Sequence, residues 1–231
     1  MFYYGIDWTY IVIVMPALLL AMFAQANVSS TFNKYSQVRS MSGRTGAEVA
    51  RMILDSNGLN HIRIERVAGK LSDHYDPRSK VVRLSDSVFG STSIASIGVA
   101  AHEVGHAIQH ATNYGPLGIR NAIIPITNIG STLSMPLFLL GLLFNSDGLA
   151  IAGILLFSLV AVFQLITLPV EFNASNRALQ TLDSYGYLSA DELGGTKKVL
   201  TAAAMTYVAA LAVSLAQIFR LVLLFGRNNR D

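Results

Sequence analysis

Residues 121–170 read NAIIPITNIGSTLSMPLFLLGLLFNSDGLAIAGILLFSLVAVFQLITLPV and contain a single charged residue, Asp147. On either side of Asp147 the chain is long and apolar enough for a helix of about 20 residues, which is what a bilayer core about 30 Å thick requires. Similar charge-free stretches occur near the N-terminus and near the C-terminus. Together they predict four transmembrane helices, near 9–28, 122–144, 149–168 and 199–219.

The composition points to the same class of protein. The chain has 231 residues, of which 52% are hydrophobic and 13% are charged, whereas a soluble domain carries about 25% charged residues. A disordered chain is excluded, and a large soluble core is disfavoured because so short a chain cannot wrap four apolar helices in polar layers. Ala24 and Ala26 form an A-x-A pattern typical of signal peptides, but the preceding segment lacks Lys and Arg and contains Asp7. We therefore interpret the first stretch as a retained transmembrane helix.

The distribution of Lys and Arg predicts the orientation in the membrane. The segment 34–120 holds 11 of the 17 Lys and Arg residues, and the segment 169–198 holds three. Because cytoplasmic loops are enriched in Lys and Arg, both polar segments are predicted on the cytoplasmic face of the cell membrane, with the N-terminus and the 145–148 turn outside. The C-terminal tail, with Arg227 and Arg230, would also lie outside if the fourth helix crosses fully, which departs from this rule.

Two further features limit the possible functions. The absence of cysteine excludes disulfides, thiolate nucleophiles and cysteine metal ligands. The net charge of +3 is explained by membrane topology and attraction to anionic lipid, so we predict no nucleic-acid partner.

The polar segment 34–120 is predicted to be a small α+β unit. Thr45 and Glu48 have the spacing of a capping box and begin a helix that ends at Asn57-Gly58. Alternating residues at 61–67 predict one strand, and 80–84 predicts a second. Ser91, Thr92 or Ser93 then caps a long helix through IASIGVAAHEVGHAIQHA.

That helix contains His102-Glu103-Val104-Gly105-His106, an H-E-x-x-H motif. On a helix the two histidines lie one turn apart on one face and can bind one zinc ion, and Glu103 can act as general base toward a zinc-activated water. The alternative is a helix with two surface histidines that bind no metal. In zinc proteases a strand before such a helix can pair with extended substrate, and we expect this role for the strand 80–84.

A catalytic zinc site needs a third protein ligand, and Glu171 is the best candidate. It directly follows the third apolar stretch, where a carboxylate needs a partner, and two membrane crossings return it to the side of His106. The alternative is that Glu171 pairs with Arg177 or only marks a helix start. His110 lies two turns from His102, about 12 Å along the helix, and is disfavoured as a ligand.

An intramembrane protease of the site-2 type is a competing hypothesis, because such enzymes take a ligand from a later Asp-Gly pair and Asp147-Gly148 is present. The predicted topology disfavours it, since Asp147 lies across the bilayer from His102.

These motifs resemble those of the YugP-like membrane zinc metallopeptidases of bacteria, also called neutral zinc metallopeptidases. The resemblance covers nearly the whole chain and includes the segments SGRTG (42–46), LSDHYDP (71–77), VRLS (82–85), AHEVGHAIQ (101–109), LPVEF (168–172) and AAMTYVA (203–209). It implies a gluzincin-like zinc site with His102, His106 and Glu171 as ligands and Glu103 as base, in a layout similar to the HtpX-type membrane proteases. Asn173 departs from the family pattern, in which we expect Asp.

The oxyanion stabiliser is left open among His74, Tyr75, Arg177, Tyr185 and Tyr207. In the segment DHYDP, Asp76-Pro77 is predicted to form a turn. The alternatives for Asp73, His74 and Asp76 are a second metal site, an oxyanion donor or substrate contacts, and the role of His74 is open. Ser175, one turn after Glu171, is predicted to support that ligand.

The sequence as a whole therefore predicts a mainly α-helical integral membrane protein with about four transmembrane helices and a small α+β gluzincin-like unit, forming a single domain over 1–231. The expected function is a Zn²⁺-dependent endopeptidase acting on membrane or membrane-associated proteins. A quality-control scaffold with a structural zinc site is the alternative from another class. The lipid bilayer is a further partner, and a regulatory membrane protein or a second copy of the chain are open possibilities.

Overall fold

The computed structural model describes residues 8–228. The chain order of its elements is a π-helical turn at Tyr10–Val14, then α1 (Met15–Tyr35), α2 (Gly46–Ser56), β1 (Arg63–Val67), β2 (His74–Asp76), β3 (Val81–Ser85), α3 (Asp86–Phe89), α4 (Ile94–Ala111), α5 (Gly115–Leu143), α6 (Asp147–Ser184) and α7 (Ala190–Asn228). The predicted outer placement of the N-terminal segment and of Arg230 concerns residues outside the described range.

Four helices are long and apolar enough to cross a membrane: Tyr10–Tyr35, Gly115–Leu143, Asp147–Ser184 and Ala190–Gly226. They overlap the four predicted transmembrane helices, and most extend well beyond them. α6 has 38 residues, about 57 Å at 1.5 Å per residue, nearly twice the thickness of a bilayer core. The charge-free stretch marks the part of a helix that suits lipid, whereas backbone hydrogen bonding continues past it into polar sequence.

The chain divides into two compact units. The span unit comprises Met1–Gln25, Ile119–Leu168 and Thr206–Asp231, and the polar unit comprises Ala26–Gly118 and Pro169–Met205. Within the span unit, α5 and α6 form a helical hairpin in which backbones touch: a Cβ at Gly141 would overlap the backbone nitrogen of Ala150. Small residues permit this close packing of helices. The single domain over 1–231 stays a prediction.

The polar unit contains a three-stranded sheet of order β1-β3-β2, in which β1 is parallel and β2 antiparallel to β3. The expectation that the strand 80–84 is free to pair with substrate is wrong, because β3 is the central strand and both of its edges are occupied. β2 was not predicted, since it has three residues and forms only by pairing with β3. The predicted turn follows it: the Asp76 carboxylate accepts hydrogen bonds from the backbone N–H groups of Arg78 and Ser79.

α4 is the central helix of the polar unit, and most of its residues are buried. The Ser93 hydroxyl caps it by accepting a hydrogen bond from the Ser96 backbone, 3.2 Å away. The predicted capping box of Thr45 and Glu48 at α2 is confirmed. α4 and α6 approach closely at Gly105, where a Cβ would lie 2.7 Å from the carbonyl oxygen of Ala174.

Gly105→Ala should destabilise the protein by about 1–3 kcal/mol, because the added methyl forces α4 and α6 apart. Thermal unfolding of the purified protein in detergent would measure the change. Gly118→Ala is the matched control, since a Cβ at Gly118 in α5 meets nothing within 4 Å and alanine favours a helix. Equal unfolding temperatures for the two variants would contradict the close approach.

Candidate metal centre

Three potential metal ligands converge from α4 and α6 within the polar unit. His102 and His106 lie on one face of α4, and Glu171 lies on α6. The Glu171 Oε2 atom is 3.3 Å from His102 Nε2 and 3.6 Å from His106 Nε2, and one ligand atom from each of the three residues lies within 4.8 Å of the others. The Glu171 side chain is 4% exposed, so this carboxylate is directed into the protein rather than toward water.

The two separations between Glu171 and the histidines are close to those of ligands around a tetrahedral zinc ion. Two atoms bound to zinc at about 2.0–2.1 Å in tetrahedral geometry lie about 3.3–3.4 Å apart. The two histidines and one glutamate are also a known ligand set for catalytic zinc, which leaves a fourth position for water or substrate. Within residues 8–228, no further His, Asp or Glu joins this cluster.

Hydrogen bonds hold both imidazoles so that Nε2 faces Glu171. His106 Nδ1 lies 3.0 Å from Gln109 Oε1, and Gln109 Nε2 donates to the Val170 carbonyl and to Asn173 Oδ1. Because Gln109 Oε1 can only accept, His106 Nδ1 carries the proton and Nε2 keeps a lone pair. His102 Nδ1 lies 3.1 Å from Ser175 Oγ, an acceptor for the Nδ1 proton when Nε2 binds a metal.

The chemistry of this donor set suits a cation. Two imidazole lone pairs and a carboxylate oxygen point at one place, and they repel each other unless a proton or a metal ion lies between them. Burial lowers the pKa of His106, yet the hydrogen bond with Glu171 and the charge of Glu103 together raise it above its usual value. The carboxylates thus create a negative potential at the position where zinc would bind.

Glu103 lies beside the three ligands without belonging to them. Its side chain is buried, and in the part of the chain that the structure describes no donor forms a hydrogen bond with its carboxylate. Burial raises the pKa of Glu103; the two histidines oppose this shift, and Glu171 and Asp73 reinforce it. A carboxylate with a raised pKa and no partner can take up a proton from a nearby water.

Comparison with known proteins agrees with this donor set. The family model described as "Putative neutral zinc metallopeptidase" matches residues 10–226. The chain belongs to this metallopeptidase family. It is also 52% identical to "Putative membrane protease YugP" of Bacillus subtilis (strain 168) over 222 residues, which cover 96% of this chain and 98% of that protein. No solved structure matches the chain.

Membership in the neutral zinc metallopeptidase family confirms the prediction of Zn²⁺ as the cofactor. The H-E-x-x-H motif of this family member lies in α4, which is not among the helices suited to cross a membrane. The ligand cluster takes its third member from Glu171 and not from Asp147 or His110. His110 instead lies 2.9 Å from the Tyr75 hydroxyl.

The other predicted site residues lie outside the ligand cluster. Arg177 donates from Nε to Asn173 Oδ1, and the exposed His74 contacts Arg83 and the Ser72 carbonyl. Tyr185 stacks on Tyr187, and Tyr207 belongs to the span unit. Whether one of these residues stabilises an oxyanion stays a prediction. Ser175 contacts the candidate ligand His102, whereas the sequence predicts support for Glu171.

Gln109 is the residue near the site that the sequence did not reveal. It is fully buried and links His106 to α6 through the Val170 carbonyl. Its position three residues after His106 was the available signal, because residues three apart on a helix are neighbours. The sequence does not indicate that Asp73 lies near Glu103: it accepts two hydrogen bonds from Ser85, and its charge reinforces the raised pKa of Glu103.

Ser175→Ala should weaken zinc binding about 10- to 100-fold, because His102 loses the acceptor that fixes its ring and tautomer. Titration of the metal-free protein with zinc in the presence of a competing chelator would measure this. Ser158→Ala is the matched control, since the Ser158 hydroxyl donates to the Ile154 carbonyl of its own helix and, among residues 8–228, to no other group. Unchanged zinc affinity of Ser175→Ala would show that this contact does not orient the ligand.

Proposed function

We propose that this chain is a membrane-bound zinc metalloendopeptidase, with a gluzincin-like site of His102, His106 and Glu171. The observation that carries the proposal is the convergence of these three ligand atoms beside a buried carboxylate, Glu103. Membership in a zinc metallopeptidase family supports it, and so does the likeness to a protein named as a membrane protease.

Glu103 would be the general base of the reaction. Zinc, when bound, supplies a Lewis acid that polarises a peptide carbonyl and acidifies water. The Glu103 carboxylate accepts a proton from the attacking water while the water oxygen bonds to the carbonyl carbon of the peptide. It then returns the proton to the departing amine nitrogen as the C–N bond breaks. The raised pKa of Glu103 favours this role, because a base must also release its proton.

The open edge of β2 is where we propose that the substrate backbone binds. An extended peptide can add to an exposed strand through main-chain hydrogen bonds. β2 is an edge strand, and Tyr75 on β2 connects to α4 through the hydrogen bond with His110. This replaces the strand 80–84, whose edges are both occupied.

Membrane proteins are the substrate class that we propose. Glu171 directly follows the charge-free part of α6 that ends at Val170, so the ligands lie near the membrane boundary. A structural zinc site would have four protein ligands, whereas the described residues supply three. This favours a catalytic site over a structural one. Regulation by a membrane partner or by a second copy of the chain stays a prediction.

Glu103→Gln should lower the rate of peptide hydrolysis about 10²–10⁴-fold while zinc stays bound, because the base is lost and the ligands are not. The measurement uses purified protein in nanodiscs, with labelled casein and a single-span reporter protein as substrates. Zinc content is determined on the same samples.

Two variants make this experiment specific. Glu171→Ala should lose both zinc and hydrolysis, whereas Glu65→Gln, at an exposed ion pair with Arg63, should keep both. If Glu103→Gln cleaves as fast as the unchanged protein, the proposed mechanism is wrong. If zinc is retained in Glu171→Ala, the proposed ligand set is wrong.

The active site is proposed to face the cytoplasm. Because the chain has no cysteine, single cysteines can report the sidedness. In intact spheroplasts, Gly148→Cys in the 145–148 turn should react with a membrane-impermeant maleimide, and Lys70→Cys in the polar unit should react only after lysis. The reverse pattern would invert the topology.

A further inference from the structure

A cavity of about 600 Å³ lies in the polar unit between the last turns of α1 and the first turns of α7. Each helix contributes one face. The lining residues of α1 are spaced three or four apart between Asn27 and Lys34. Those of α7 have the same spacing between Gly194 and Met205. None of the three proposed zinc ligands lines this cavity, which is therefore separate from the metal centre.

Three lysines line the cavity: Lys34, Lys197 and Lys198. In the part of the chain that the structure describes, no ion pair joins any of them to a carboxylate, and no Asp or Glu lines the cavity. Lys34 also lies 5.6 Å from the ring centre of Tyr35. The cavity therefore carries a concentrated positive charge with no internal partner, which suits an anion.

The character of the lining changes along α7. Lys197 and Lys198 stand at the start of the charge-free stretch 199–219. Thr201, one turn further, offers a hydroxyl, and Met205 lies about 10 Å beyond Lys198 at 1.5 Å per residue. Met205 is 39% exposed. The lining residues of α1 follow the same order as those of α7. Lys34 lies at the charged end, and the Ser30 hydroxyl lies one turn into the apolar segment.

We propose that this cavity binds an anionic glycerophospholipid from the leaflet next to the polar unit. The phosphate lies between the three lysines, the ester groups accept hydrogen bonds from Ser30 and Thr201, and an acyl chain runs along Met205. Basic pockets between transmembrane helices are known to bind anionic head groups. The combination of cationic, hydroxyl and apolar lining fits a whole lipid better than free phosphate, which would use the lysines alone.

Gly195 packs tightly beside the cavity, next to Gly194. A Cβ there would lie 2.9 Å from the Tyr35 ring and 2.6 Å from Ile94. At Gly194, which lines the cavity, a Cβ meets nothing within 4 Å. A large side chain at position 194 would therefore occupy the cavity without changing the charge of the protein.

Native mass spectrometry of the full-length protein in detergent, titrated with phosphatidylglycerol or phosphatidylcholine, tests the proposal. We expect one phosphatidylglycerol to bind preferentially. Each lysine near an anionic surface strengthens binding about fivefold, so Lys34→Gln, Lys197→Gln and Lys198→Gln together should weaken it roughly a hundredfold. Lys70→Gln, Arg78→Gln and Lys80→Gln, three exposed cations elsewhere, remove the same charge and should leave binding unchanged.

Gly194→Phe should weaken phosphatidylglycerol binding at least tenfold with all three lysines present. The proposal is overturned if the triple lysine variant or Gly194→Phe binds phosphatidylglycerol as the unchanged protein does, or if the control triple variant loses as much affinity. It is also overturned if glycerol 3-phosphate displaces the lipid at equal concentration, because the site would then hold a free phosphate. Since none of these measurements uses hydrolysis, the result is independent of the proposed peptidase function.

Discussion

The need for positive charge between the buried Glu171 carboxylate and two imidazoles is the constraint on which the polar unit depends. A carboxylate that is almost completely buried and faces two Nε2 atoms at 3.3 and 3.6 Å is tolerated only with a positive charge between them. Glu103 adds a second buried carboxylate to the same place. One divalent cation, as proposed for this site, would offset the charge of both carboxylates at once.

This constraint requires α4 and α6 to be held in one fixed register. Three kinds of contact do so within the polar unit. Gly105 lets the two backbones touch at Ala174, Gln109 donates to the Val170 carbonyl, and Ser175 contacts His102. Val170, Ala174 and Ser175 lie within four residues of Glu171. The same contacts that orient the proposed ligands therefore also pack the helices, and we expect a change at any of them to act on both stability and metal binding.

The sequence predicts those parts of the fold that depend on local pattern. Gaps between charged residues located the four long helices, and the Thr45–Glu48 spacing located the start of α2. Pairing between distant segments has no such signal in the local sequence. β2 is a strand only because β3 lies beside it, and β3 is central because β1 and β2 both pair with it. Likewise, the position of Ser175 one turn from Glu171 suggested a contact within α6, whereas its hydroxyl contacts His102 on the other helix.

The positive charges from which the orientation is predicted differ in their partners, and only the structure shows this difference. Every ion pair between a Lys or Arg side chain and a carboxylate within residues 8–228 uses arginine. Arg51, for example, bonds to Asp55 and to two backbone carbonyls. The planar guanidinium satisfies several fixed acceptors at once, whereas a lysine ammonium on a flexible stem suits a mobile anion. The paired arginines therefore link parts of the polar unit to each other. Lys34, Lys197 and Lys198 form no ion pair with a carboxylate within residues 8–228, which leaves them available for the proposed lipid at the boundary of the apolar helices.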